Sequence, residues 1–159
     1  MAGPDCRPRP ETCRSRPRCT IRAFAILYEV MHGGRFAELR RIHVLVIDDN
    51  VNERNFLRSV LELAGAIVTA ASAADAIRVA LADVIVCDLT SAEAARPEFL
   101  PELRHVHIRL GRMVPAIALV STGEMSNARA RAPGFERYLP KPIDADELRA
   151  AVSDLARRY

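Results

Sequence analysis

At 159 residues the chain is long enough for one domain with a substantial core and too short for two ordinary ones. Half of it is hydrophobic and its net charge is only +3, which fits a globular domain and excludes a strongly charged, unfolded polymer. The positive balance sits at the start: residues 1–22 hold six arginines against Asp5 and Glu11, which leaves residues 23–159 at −1.

Residues 1–30 are expected to form a disordered Arg/Pro-rich extension, because so little aliphatic surface cannot offset the entropy of ordering. The near-neutral remainder argues against nucleic acid as a partner, although the basic tail itself is the one place where DNA would bind. Cys6, Cys13 and Cys19 match no zinc-ligand spacing, and Cys87 reads as a small buried hydrophobe, so neither a metal finger nor a disulfide scaffold is expected. Residues 23–31, AFAILYEVM, look superficially like the apolar part of a signal peptide. Glu29 interrupts them and no small-residue cleavage site follows, so a reducing cytoplasm is the expected compartment. No apolar run approaches the roughly 20 residues of a membrane span. Residues 31–41 read as a linker, with Met31 an alternative start, and the folded domain is expected over 42–159.

From Ile42 the pattern alternates. Strands are expected at 42–47, 66–70, 83–87, 114–120 and 135–139. Helices are expected at 50–64, 72 to about 81, 97–107, 125–131 and 144 to about 157. Gly65 stops the first helix, Ser72 and Asp75 form a capping box, and Asp144 caps the last helix. The strands are continuous apolar runs, which implies a parallel sheet covered by helices on both faces: an α/β, doubly wound fold.

In such sheets the chemistry lies beyond the carboxyl ends of the strands. The first strand ends at Asp48-Asp49, the third at Asp88, the fourth at Ser121-Thr122, and the fifth leads into Lys141. Lys141 is the only lysine in a chain with 22 arginines. Three carboxylates in one pocket require a cation, and hard oxygen donors suit Mg2+. With a lysine beside them, the open position suits a phosphoryl group, and a carboxylate there can act as the nucleophile.

The stretches VLVIDDN (44–50), DVIVCD (83–88), VPAIAL (114–119) and YLPKPID (138–144) together resemble the response-regulator receiver domain, the phospho-acceptor module of two-component signalling. The resemblance implies a flavodoxin-like strand order 2-1-3-4-5. It makes Asp88 the phosphorylated residue and Lys141 its partner. It implies Mg2+ bound by Asp88, directly by Asp49, mostly through water by Asp48, and by the backbone carbonyl of Thr90. Tyr138 takes the place of the family's switch aromatic.

Two departures stand out. Val120 occupies the position of the family's switch hydroxyl, with Ser121 next to it. The loop after Asp88, LTSAEAARPE, lacks the usual Met-Pro and later Gly. The expected function is a stand-alone receiver, not an enzyme in the ordinary sense, that takes a phosphoryl group from a sensor histidine kinase or phosphotransfer protein and then binds a downstream protein. A homodimer stays open. The alternative is an interaction module that works without phosphorylation. A phosphohydrolase is disfavoured, because the second acid such enzymes need two residues after the nucleophile is Thr90 here.

Overall fold

The computed structural model describes residues 38–78, 82–108, 111, 113–125, 127–128 and 132–159. The expected tail over 1–30 and residues 31–37 lie outside the described residues. Among the described residues there are five strands: β1 (His43–Ile47), β2 (Ile67–Ala71), β3 (Val84–Asp88), β4 (Ala116–Ser121) and β5 (Arg137–Lys141). All pairs are parallel and the order is β2-β1-β3-β4-β5. The helices are α1 (Val51–Leu63), α2 (Ala73–Ala76), α3 (Phe99–Ile108) and α4 (Ala145–Arg158), with a 3₁₀ turn at Thr122–Glu124.

The central strands send alternate side chains to opposite faces, and both faces are covered. Leu45, Ile47, Ile85, Cys87, Ala118 and Val120 join one cluster with Phe99 and Leu103 of α3. Val44, Val46, Val86, Ile117 and Leu119 join the other with Leu57 and Leu61 of α1 and Leu148 and Val152 of α4. A strand buried on both faces has no polar alternation to show, which is why these segments read as unbroken apolar runs.

The ends of the elements follow local chemistry. Asn50 caps α1, its side-chain oxygen accepting from the N–H groups of Asn52 and Glu53 at 3.0 and 3.4 Å. At the other end Gly65, at φ 93°, donates to Glu62 O while Ala66 donates to Leu61 O, the paired bonds of a left-handed helix stop. Ser72 caps α2 and its hydroxyl donates to Asp75 at 2.8 Å. Asp144 accepts from Asp146 and Glu147 at 2.9 Å to open α4.

Several boundaries differ from the sequence expectation. β5 begins at Arg137, two residues later than expected, and includes Pro140 and Lys141. As an edge strand it tolerates a proline with no N–H to give, while Phe135 is buried from the preceding loop. α3 starts at Phe99 rather than Pro97, which puts Pro101 in a first turn where a missing N–H costs no helical bond. The α2 helix is only four residues long, and residues 79–81 of its expected continuation lie outside the described residues. Of the expected helix at 125–131, residues 125, 127 and 128 are helical and residues 126 and 129–131 lie outside the described residues. Packing also begins upstream of Ile42: Leu39 is fully buried and donates to Ala64 O at 3.1 Å.

Candidate functional site

The strand register brings the expected residues to one edge of the sheet. Asp88, the last residue of β3, is 3 % exposed. Its Oδ1 accepts from the Thr90 N–H at 3.1 Å and its Oδ2 from the Thr90 hydroxyl. Lys141, the last residue of β5, reaches the same Oδ2 with Nζ at 3.0 Å. Its Nζ also meets Glu53 Oε2 at 2.5 Å. Burial opposes the lysine charge, but hydrogen bonds to Glu53 and Asp88 outweigh it and hold the ammonium above its ordinary range.

Asp48 follows β1 and is 1 % exposed. Its Oδ1 accepts from the Asn50 N–H at 2.7 Å, whereas Oδ2 is buried with no hydrogen-bond partner. Burial pushes this carboxyl up, and the neighbouring Asp88 charge pushes it further. Arg54 donates to the Asp48 carbonyl at 2.5 Å, fixing the backbone between β1 and α1.

Asp49 is arranged differently. Its Oδ2 accepts from the Ser91 hydroxyl at 2.5 Å and its Oδ1 from the Ala73 N–H, at the start of α2, at 2.9 Å. Those two bonds hold its carboxyl below the ordinary value. The sequence reading gave Asp49 the direct contact with a cation and Asp48 the water-mediated one. Among the described residues, one group of three carboxylates with oxygens within 4.8 Å of one another is Asp48, Glu53 and Asp88.

Glu53 is the residue that the sequence reading missed. A signal was available: it stands three residues after the Asn50 cap, in the first turn of α1, so its side chain starts one helical turn from the end of β1. Acids at that position are ordinarily read as helix-dipole partners, which hid its contact with Lys141. Beside it opens a cavity of about 590 Å3, lined by Glu53, Phe56, Leu57, Ser121, Lys141 and Pro142.

The expected switch residues separate by strand parity. Val120 pairs with Pro140, is 2 % exposed, and belongs to the apolar cluster under α3. Ser121 pairs with Lys141 and lines the cavity on the α1 side, so the two do not share a face. Tyr138 stacks edge-on against Phe135, ring centres 6.0 Å apart, and its hydroxyl donates to Ala132 O at 2.9 Å.

The model of the response regulator receiver domain matches residues 44–153, most of the described chain. The chain belongs to that family. A 14.6 kDa protein of Leptolyngbya boryana, called uncharacterised and placed in the sodA1 3′ region, is 36 % identical over 115 residues, covering 69 % of this chain and 86 % of that one. Among solved structures, a receiver domain protein from Clostridium thermocellum aligns with a TM-score of 0.63 at 25 % identity, covering 74 % of this chain and 95 % of that one. The receiver domain of a Francisella response regulator aligns with 0.59 at 28 % identity, covering 74 % and 98 %. Receivers are in general phospho-acceptors rather than enzymes. They bind Mg2+ in an acidic pocket and signal through contacts with histidine kinases, phosphotransfer proteins and downstream targets. No helix among the described residues is long and apolar enough to cross a membrane.

Proposed function

We propose that this receiver accepts a phosphoryl group on Asp88 from a phosphohistidine donor, with Mg2+ in the acidic pocket, and signals in the cytoplasm by binding a partner protein. The observation that carries the reading is the unpartnered, buried Oδ2 of Asp48 beside Asp88 and Lys141. A buried carboxylate oxygen with no donor calls for a cation, and an all-oxygen, anionic donor set fits Mg2+. Asp88 and Asp49 would hold the ion directly with the Thr90 carbonyl, and Asp48 mostly through water. What a bound Mg2+ supplies is neutralisation of the charge that develops on a transferring phosphoryl group.

In the transfer an Asp88 oxygen forms a bond to phosphorus while the donor's P–N bond breaks. The electron pair stays on the departing imidazole nitrogen. Lys141 moves from the carboxylate to a phosphoryl oxygen, and the Thr90 N–H remains to orient the aspartate. Incubating the protein with a small acyl phosphate and Mg2+ tests this. Uptake of one phosphoryl group per chain is expected, and it disappears with Asp88→Asn or on chelating the metal. No uptake by the unmodified protein at millimolar donor would end this reading.

A second reading, a partner-binding module that needs no phosphorylation, draws on Val120. An aliphatic side chain in an apolar cluster offers no hydrogen bond to a phosphoryl group. On this reading partner binding is unaltered by Asp88→Asn, a result the first reading does not allow.

A further inference from the structure

We propose that the outer edge of β2 is a self-docking surface, on which β2 of a second copy of this chain pairs antiparallel across a twofold axis at Thr69. Among the described residues, β2 and β5 are the two edges of the sheet, and they are unlike. β5 carries Arg137, Pro140 and Lys141, the charges and proline that keep an edge from pairing. β2 reads IVTAA, with neither charge nor proline, and Ile67 is 60 % exposed. The β2 backbone also shows which groups are on offer. Ile67 N–H donates to Ile42 O at 2.9 Å and Ala71 O accepts from Asp48 N–H at 3.2 Å, so residues 67, 69 and 71 face β1. Val68 and Ala70, between them, turn N–H and C=O outward and have no backbone partner among the described residues.

These outward groups select the register. With Thr69 opposite Thr69, Val68 of each copy meets Ala70 of the other, and each such pair exchanges both its bonds. Centring on Val68 instead sets Ala70 against Ala66, whose N–H is spent on Leu61 O. Centring on Ala70 sets Val68 against Ser72, whose carbonyl already holds Ala76 at the start of α2. Charge complementarity favours a second copy over an unrelated strand. Leu57 and Leu61 turn α1 onto the sheet, while Glu53 and Phe56 line the cavity beside Pro142. Helical spacing therefore puts Arg58 and Glu62 on the opposite flank, above the β2 edge. Within one copy they are 4.0 Å apart and 41 % and 52 % exposed. The twofold runs the two α1 helices antiparallel and brings Glu62 of each copy toward Arg58 of the other, an isologous contact that widens the strand edge. The two acid pockets, beyond the carboxyl ends of the strands, then face opposite ways and stay open to their donors.

Sedimentation of the full chain, joined to amide hydrogen exchange, tests the pairing. A dimer is expected at about 500 μM that dissociates on dilution. In it the Val68 and Ala70 amides exchange roughly 10-fold more slowly than in the monomer, while those of Thr69 and Ala71 are protected at every concentration. Ala70→Pro removes an outward N–H, leaves the bonds to β1 in place, and is expected to abolish the dimer. Arg58→Glu and Glu62→Arg each set like charges against one another across the axis. Each is expected to weaken its own homodimer roughly 10-fold, and the two variants, mixed, to prefer one another. A chain that stays monomeric overturns the proposal. So does a dimer in which Val68 and Ala70 exchange at the monomer's rate, because it uses another surface. Protection of these two amides that does not vary with concentration puts some other segment on the edge and overturns it as well. A mixture of the charge variants with no preference for the mixed pair overturns the twofold.

Discussion

Asp48 is the residue on which the electrostatics turn. Burial and the Asp88 charge raise its folded pKa above the ordinary 3.8, so the folded state keeps a proton that the unfolded chain has already released. Through that window, just above the ordinary carboxylate value, cation-free stability falls as pH rises. Asp49 works the other way: its lowered pKa gives a contribution present above 3.8 and lost as pH falls through its folded value. Lys141, raised above 10.5, contributes fully below that value and loses the contribution as pH climbs through its folded pKa. Asp48→Asn is therefore expected to raise the melting temperature of the cation-free protein at neutral pH by a few degrees, on the order of 1 kcal/mol. The same substitution should remove most of the stabilisation that Mg2+ confers, which for a saturated site at a hundred times Kd is about 2.7 kcal/mol. Thermal melts with and without Mg2+ check both. Asp48, Asp88 and Lys141 were legible in the sequence because strand ends announce them. Glu53 was not, since its contact with Lys141 depends on where the first turn of α1 points.

At the scale of elements, the five-strand pattern was readable because each strand is an apolar run bounded by polar or turn residues. The ends were less so. β5 was displaced because apolar content drew attention to Phe135, whereas pairing with β4 selects Arg137 to Lys141. The link that secures this edge was invisible in sequence. Arg104 of α3 donates to Val114 O at 3.0 Å and Gly134 O at 2.8 Å, and its Nη2 reaches both carboxylate oxygens of Glu136 at 2.7 and 2.8 Å. Glu136 in turn accepts from the Ala116 N–H at 2.6 Å. Both side chains are mostly buried, 15 % and 24 % exposed, so removing one strands the other away from water. Arg104→Ala should cost about 2–3 kcal/mol in urea denaturation. Because this knot lies at the opposite ends of the strands from Asp88, phosphate uptake below the melting transition should be unaffected.

Over the whole molecule, the two-sided packing that makes the fold legible also decides what Val120 can do. The alternation that sends Ile117 and Leu119 toward α1 and α4 sends Ala118 and Val120 toward α3. Val120 and Ser121 therefore face opposite sides of the sheet, Ser121 toward the cavity that Lys141 lines. Sequence alone left that assignment open, since register is a property of the assembled sheet. Val120→Thr puts a hydroxyl into an apolar cluster and should destabilise the unphosphorylated domain by about 1–2 kcal/mol. Phosphorylation should narrow that deficit by offering the hydroxyl a partner, and paired denaturation curves with and without a phosphodonor measure it. A deficit unchanged by phosphorylation would mean that β4 does not respond to Asp88.

The scarcity of lysine has a practical consequence. The other basic side chains in this sequence are guanidinium or imidazole groups, so Lys141 is the lone side-chain amine, and it lies 3.0 Å from the phospho-acceptor. An amine-acylating reagent has one side-chain address in the whole protein. Its rate there depends on how firmly carboxylate, metal or phosphoryl oxygen holds the ammonium. The chain thus carries a single-site chemical reporter at its reactive centre, with no label engineered in.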